Sequence, residues 1–479
     1  MGATSPGWAP DLYLELERGG PRQTRANLHA ALRSAIRDHR LAPGVALPPT
    51  RQLAAELGCA RSVVLGVYTQ LVAEGYLVTR QGSGTRVAGA AAAAPVWDAQ
   101  QPPRINFSAG VSDLSSFPRT DWKNAVGHVM ASVTPAELYY TEPAGAAHFR
   151  VVLAERLARL RDVRVRPEHV HVCAGTVHAV SLLARLLAAR GVRTVAVENP
   201  SWPRVRPPLQ AVGIHIVPVR VDAQGLVVSE LAGNQDVDAV FITPAHQFPT
   251  GVTLSPSRRE ELLRWAAGTR RIIVEDDYDA EFNLGAAQVG SLQPHDTERI
   301  VYLGTTSKIL SPTLRLGWIA APQALSAALT DMRESSDLGV SVIEQLSLAH
   351  LMSTGKLDRH LRTTRQMYDR RRKLLIEALR ARLPGTKITG ARAGLHIIAS
   401  LPPDVVESQV VSELARRSVG VYGLGFYRIG WTQNSGGALV LGYASLNETQ
   451  IATGVELLAE SIAAARKHAS AGMVAADGG

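Results

Sequence analysis

The chain has 479 residues, with 51 Lys and Arg against 42 Asp and Glu for a formal charge of +9, and 46% of its residues are apolar. That length exceeds one ordinary domain and suggests roughly two to four, and the mild basic excess admits nucleic acid or phosphorylated ligands without choosing between them. Cys59 and Cys173 are too few for a disulfide framework and lack metal spacing, so a reducing cytoplasm is expected; no signal peptide is read at the start and no apolar run could span a bilayer.

The first helix is predicted to start near Arg22 and to end before Pro43-Gly44, because Leu28, Ala31, Leu32, Ala35 and Ile36 share one helical face. Thr50 is read as the cap of a short second helix carrying Leu53, Ala54 and Leu57, closed by Gly58. A third helix puts Val64, Val67, Tyr68, Leu71 and Val72 on one face and ends at Gly75. Two strands follow, Tyr76–Arg80 and Thr85–Val87, joined by Gln81-Gly82-Ser83-Gly84, whose glycines suit a tight hairpin. Helix, helix-turn-helix and hairpin make a winged helix, whose third helix enters the major groove of double-stranded DNA. Arg51 opens the second helix, Arg61 opens the third, and Arg80 and Arg86 flank the wing around Gly82. Residues 1–90 hold ten Arg, no Lys and six acids, so the head is basic on its own. The arginines are expected on phosphates, with Arg61 and Ser62 placed to read base edges.

The string LPPTRQLAAELGCARSVVLGVYTQLVAEGYLVTRQGSGTRVA resembles the GntR-type winged helix over its whole length. Ala60 stands where that pattern has Ser, and Val63 where it often has Thr. Loss of a Ser cap costs about 1 kcal/mol of helix stability. The competing reading, a helical protein–protein module, leaves the wing glycines and the placement of the arginines unexplained.

A stretch AGAAAAAPVWDAQQPPR, residues 88–104, has Pro95, Pro102 and Pro103 and no apolar period, and is read as a linker, or as a short helix of the alanines that leaves the same boundary. It divides a head, 1–87, from a body, 105–467, and the small polar residues 468–479 are read as a frayed, flexible tail.

Five strand-to-loop units recur in the body. IVYLGTTSKILSPTLRLGWIA, from Ile300, carries Lys308 in a turn with Thr305 and Ser307, and Arg315 follows. An amine flanked by hydroxyls and a guanidinium suits a phosphorylated aldehyde, though a surface lysine after a strand is common. RRIIVEDDYDAEF puts Asp276 at the end of a strand, where a carboxylate can pair with a protonated pyridine nitrogen, and Tyr278 within reach of a phenolic oxygen. Glu275, Asp277, Asp279 and Glu281 of the same stretch are read as a solvated acidic loop. HVHVCAGTVHAVSLLARLL leads a strand into Gly175-Thr176-Val177 and a helix whose N-terminus can hold phosphate, or is an ordinary strand–helix turn. VAVENPSWPRVRPPL offers Trp202 to stack on a flat ring, or to fill core, and brings Arg206. AVFITPAHQFPTG is a further strand ending in a Pro/Gly loop. Strands alternating with helices predict an α/β body with a mostly parallel sheet and the five loops at its strand C-termini.

The order A-G-T-x-x-A, E-N-P-x-W, T-P-x-H-Q-x-P-T-G, E-D-D-Y-D-x-E-F and T-x-S-K-x-x-x-P-x-x-R-x-G-W is similar to the fold-type-I aminotransferases, and the D-D-Y-D and H-Q-F-P-T-G forms look like the MocR subfamily of GntR regulators. The resemblance covers about residues 25–87 and 105–460. It implies pyridoxal 5'-phosphate as cofactor, Lys308 as its Schiff-base lysine, Asp276 as the pyridinium partner, Tyr278 on the phenolic oxygen and Trp202 on the ring. It implies Thr176, Val177, Thr305, Ser307 and Arg315 around the phosphate, and Tyr140 reaching the phosphate of a partner subunit. A homodimer, head-to-tail in this subfamily, is implied with it.

One departure bears on activity. Amino-acid aminotransferases hold the substrate carboxylate with an arginine in a strand near the C-terminus, and here that strand reads VLGYA with Val440 at the arginine position. A bidentate guanidinium is hard to replace; Arg206 and Arg428 are the candidate substitutes on an effector. Phe248 stands where many aminotransferases carry an asparagine. The favoured reading is a regulator whose effector is pyridoxal phosphate itself, controlling vitamin B6 synthesis or salvage. The alternatives are a regulator sensing an amino-acid-like effector and an aminotransferase with a DNA-binding head. No metal site is expected, and His178 and His246 are read as polar lining.

Overall fold

The computed structural model describes residues 21–37, 41, 45–74, 76–80, 84–87, 102–140, 142–285, 289–390, 392–430 and 437–476, without the side chains of residues 21–23, 73, 80, 280 and 467–476. The Pro43-Gly44 turn, Gly82, the Arg80 side chain and linker residues 88–101 lie outside the described residues. The chain divides into two compact units, Met1–Ala93 and Ala94–Gly479.

The first unit holds α1 (Pro21–Arg37), α2 (Thr50–Glu56), α3 (Arg61–Ala73) and the antiparallel hairpin β1 (Leu77–Arg80) and β2 (Gly84–Val87). Leu28, Leu32, Leu53, Val64, Val67 and Leu71 from the three helices and Leu77 and Val87 from the wing form its core. Two expectations are corrected. The cap of α2 is Pro49, not Thr50, and the Thr50 hydroxyl instead accepts from Arg61 Nε at 3.4 Å. Val72 is 37% exposed, because the face defined by Val64 and Leu71 has turned away from it.

The second unit is built on an eight-stranded sheet. In chain order it runs β3 (Ile105–Asn106), α4 (Arg119–Ser132), α5 (Ala147–Arg161), β4 (Val170–Cys173), α6 (Thr176–Ala189), β5 (Thr194–Asn199), α7 (Arg206–Ala211), β6 (His215–Asp222), β7 (Gly225–Leu226), α8 (Val228–Ala232), β8 (Ala239–Ile242), α9 (Pro256–Ala266), β9 (Ile272–Asp277), β10 (Ile300–Thr305) and β11 (Gly317–Ala320). There follow α10 (Gln323–Glu334), α11 (Val342–Ser353), α12 (Lys356–Arg382), β12 (Ile388–Thr389), β13 (His396–Ser400), α13 (Glu407–Arg416), β14 (Val419–Gly420), β15 (Tyr422–Gly423), β16 (Ala438–Gly442) and α14 (Glu448–Ala476). The final helix thus extends into the stretch read as a tail.

The large sheet has the order β4-β11-β10-β9-β8-β5-β6-β7. The neighbouring pairs β10–β9, β9–β8, β8–β5 and β5–β6 are parallel, and β11 and β7 run against their neighbours. The expected mostly parallel α/β sheet is therefore present. Its strands are apolar on both faces: Val195, Val197, Val301 and Leu303 pack under α6 and α10, while Ala196, Val240, Ile273 and Ile300 pack against α8 and α9. A second, antiparallel sheet, β12-β13-β16-β15, is joined to the start of the body by the parallel β3–β14 pair. No helix of the described residues is long and apolar enough to cross a membrane.

Candidate functional site

Parallel strands release their following loops at one edge, so the five motif loops converge there. β9 and β10 pair with Leu303 opposite Asp276 and Gly304 opposite Asp277, so Asp276 and the Thr305–Lys308 turn leave the sheet side by side. Lys308 Nζ donates to the Gly110 carbonyl at 2.5 Å. Burial lowers the pKa of this amine, against the opposing charges of Asp279 and Asp276. Asp276 Oδ1 is buried and has no hydrogen-bond partner among the described residues. Burial, then the neighbouring Asp277 and Asp279, push its carboxyl up to about 7. A buried carboxylate oxygen without a donor is costly, and a protonated ring nitrogen would satisfy it.

A few residues along the same edge, the parts suit a phosphate. Gly175 has φ 82°, a left-handed conformation that opens α6 and leaves the N–H groups of Thr176 and Val177 free of helical partners. The Arg315 guanidinium donates to the Ala174 carbonyl and lies 3.3 Å from where a Cβ on Gly175 would be. The Thr305 hydroxyl donates to Ser307 Oγ at 2.9 Å. A guanidinium, two hydroxyls and a helix N-terminus therefore gather where Gly317 packs against Gly175 and pairs with Thr305, at the start of the turn that carries Lys308, and the set fits a phosphorylated aldehyde.

Facing this edge is an apolar wall. Phe248, Ile398, Leu424, Tyr427, Ala438 and Val440 form one cluster, with Ala109, Trp202 and Tyr278 packed against it. Phe248 meets Tyr278 edge-on at 5.6 Å between ring centroids. Val440 is wholly buried on β16, between Ile398 and Tyr422 of the flanking strands. Arg206 opens α7 half-buried, and burial lowers its pKa. Arg428 lies in the field of Glu407. Tyr140 is 76% exposed and its ring touches that of Tyr139, 5.2 Å away.

The acidic stretch from the end of β9 onward, Glu275 to Glu281, is not a solvated loop. Glu275 is fully buried and accepts from Leu292 N at 2.8 Å, and burial pushes it up to about 7. Asp277 accepts from Arg161 Nε at 2.6 Å and from the Tyr302 hydroxyl at 2.7 Å. Asp279 lies 2.8 Å from His246 Nδ1, and Glu281 pairs with Arg156 and Arg365. β9 continues through Asp277, so these acids enter packed layers, and the cations of Asp277 and Glu281 come from α5 and α12, more than 80 residues away in sequence. Glu198 was missed altogether: it is buried at the end of β5 and accepts from Thr243 and Gln247, linking two of the motif loops.

On the head, Arg51, Arg61, Ser62 and Arg86 are exposed. Arg61→Ala is expected to cost roughly 1–3 kcal/mol of DNA affinity and to relax selectivity at one base position. Arg51→Ala should weaken all sequences alike and flatten the salt dependence by about one phosphate contact. Binding titrations at two salt concentrations, with operator and scrambled DNA, separate the two.

Residues 24–87 match the bacterial regulatory proteins of the gntR family, and residues 102–456 match aminotransferase class I and II. The chain is 30% identical to the HTH-type pyridoxine biosynthesis transcriptional regulator PdxR of Corynebacterium glutamicum, covering 91% of this chain and 96% of that one. It is 30% identical to the probable rhizopine catabolism regulatory protein MocR of Rhizobium meliloti, over 81% and 83% of the two chains. Among solved structures, an archaeal alanine:glyoxylate aminotransferase superposes with a TM-score of 0.68 at 26% identity, covering 74% of this chain and 90% of that one.

Proposed function

The chain belongs to the MocR type of GntR regulators, DNA-binding transcription regulators with an aminotransferase-like body, and on that premise we propose that pyridoxal 5'-phosphate is its effector. Lys308, Asp276, Tyr278 and Trp202 would hold the ring, and Thr176, Val177, Thr305, Ser307 and Arg315 the phosphate. The group supplies an aldehyde for the Lys308 amine. Asp276 keeps a charge opposite the ring nitrogen, Tyr278 positions the ring oxygen, and the wall around Phe248 excludes water.

The observation that carries the choice of effector is Val440, wholly buried among Phe248, Ile398 and Tyr427 where an enzyme needs a carboxylate-binding cation. A carboxylate against that wall would be poorly paired. Efficient transamination of α-amino acids is therefore not expected, and an amino-acid effector is disfavoured. The name of the pyridoxine-related relative supports genes of vitamin B6 synthesis or salvage as targets. The resemblance implies a homodimer, head-to-tail as in the subfamily, in which Tyr140 serves the other subunit, and the exposure of that ring leaves it accessible to a partner. The place of action is the cytoplasm.

Cofactor-stripped protein should change its affinity for its own upstream DNA when pyridoxal phosphate is returned at fixed salt. A panel of amino acids, ω-amino acids included, should add no further change. A response to one amino acid and none to the cofactor would sink the proposal.

A further inference from the structure

His246, from the loop after β8, is 3% exposed and lies at the centre of a polar cluster inside the apolar wall. Its Nδ1 is 3.0 Å from the Tyr278 hydroxyl and 2.8 Å from Asp279 Oδ2. An ionised carboxylate only accepts, so Asp279 places the ring proton on Nδ1. Nε2 is then an acceptor, and it is buried without a partner among the described residues. On the far side lies His396 of β13, its ring 5.5 Å from that of His246. Its Nε2 donates to the Pro249 carbonyl at 2.9 Å, leaving its own Nδ1 as a second buried, unpartnered acceptor. Gly394 closes the cluster: a Cβ there would come within 2.2 Å of His246 and 2.6 Å of Asp279.

We propose that His246 and Asp279 are positioning residues that direct the Tyr278 hydroxyl proton toward the bound ring's oxygen, and so set the pH at which the Lys308 nitrogen loses its proton. The inference rests on the cofactor reading above. Tyr278 has two acceptors to choose from, Asp279 and the ring oxygen. The Nδ1–H of His246 is shared between Asp279 Oδ2 and the Tyr278 oxygen, so that oxygen accepts on the histidine side and its own proton is turned toward the ring. With Tyr278 donating, the ionised ring oxygen does less to stabilise the proton on the Lys308 nitrogen, which is then lost at lower pH. The charged and titratable groups around the couple act on the same balance: burial, then Asp279, and after them Asp276 and Glu198 from β9 and β5 raise the phenol, Lys308 faces His396, and Tyr443 lies in the field of Asp279 and Arg372. Burial holds His396 down to about 4, so it stays neutral across the working range.

The test is a pH titration of the visible band of the full-length protein reloaded with pyridoxal phosphate. His246→Leu should raise the midpoint by about one pH unit, a tenfold change in proton affinity. His246→Asn, which can return an N–H near Nδ1, should recover most of the shift. Circular dichroism and cofactor affinity check that the Leu variant folds, and His396→Gln, which leaves the couple intact, should titrate like the native protein. A midpoint that stays in place or falls in His246→Leu overturns the inference while leaving the cofactor reading intact. A native protein that develops no band overturns both.

Discussion

Replacing Asp277 by alanine is expected to cost about 3–5 kcal/mol of stability, measured by urea unfolding of the cofactor-free protein. The carboxylate and its guanidinium partner are both almost completely enclosed, with side-chain exposures of 3% and 5%. Arg161 also donates to the Val289 carbonyl at 2.8 Å, but its Nη2 is buried with no partner among the described residues. Without Asp277 the cation stays trapped with one carbonyl and the field of more distant acids. Tyr302 loses its acceptor as well, which adds to the cost. Converting both partners to apolar residues of similar volume should recover most of the loss, because the desolvation cost disappears with the charges. A single variant within about 1 kcal/mol of the native protein would show that the network is wetter than its geometry implies.

Asp276→Asn is expected to act in opposite directions on cofactor affinity and on the stability of the cofactor-free protein. Affinity should fall by roughly 1.5–3 kcal/mol, about 10- to 150-fold, as the charge opposite the ring nitrogen is lost. The sign for stability follows from the carboxyl being held at about 7 against an ordinary 3.8. The folded protein binds this proton more tightly than the unfolded chain does. The favourable contribution is complete below the ordinary value and is lost as pH rises through the folded one, so stability declines from acid toward pH 7. Asparagine cannot titrate, so the decline should flatten; Glu198 and Glu275, also held near 7 by burial, keep part of it, while His171 and His396, held near 3 and 4 by burial, oppose it below their ordinary value in native and variant alike. Unfolding curves at pH 5, 6, 7 and 8 for native and variant protein show this directly. An unchanged slope together with unchanged affinity would remove Asp276 from the site.

The parts of this protein that were legible in its sequence are those whose geometry is local. Lys308 lies in a turn set by the strand before it, Asp276 at the end of another, and Thr176 at a glycine-opened helix. The wing of the head was readable for the same reason, since its two strands pair within one short stretch, Leu77 opposite Val87 and Arg80 opposite Gly84. What could not be read is where distant chain supplies a partner. The acids from Glu275 to Glu281 look like a solvated run until Arg161, Arg156 and Arg365 are brought to them. His246 looked like polar lining because Asp279 and Gly394 come to it from other loops. Thr50 was misplaced by a single residue: the backbone turns at Pro49, which leaves the hydroxyl to receive Arg61.

The central claim is that occupancy of Lys308 is read out on DNA. The measurement that tests it is the affinity of Lys308→Ala for the upstream DNA, followed at fixed salt while pyridoxal phosphate is titrated into the cofactor-stripped variant and the native protein side by side. Salt is fixed because phosphate contacts dominate such affinities. A shift is expected in the native protein and a flat response in the variant, since only a ligand that distinguishes two arrangements of the protein can move the equilibrium between them. Equal shifts in both proteins, or a flat native response while its visible band forms, would contradict it.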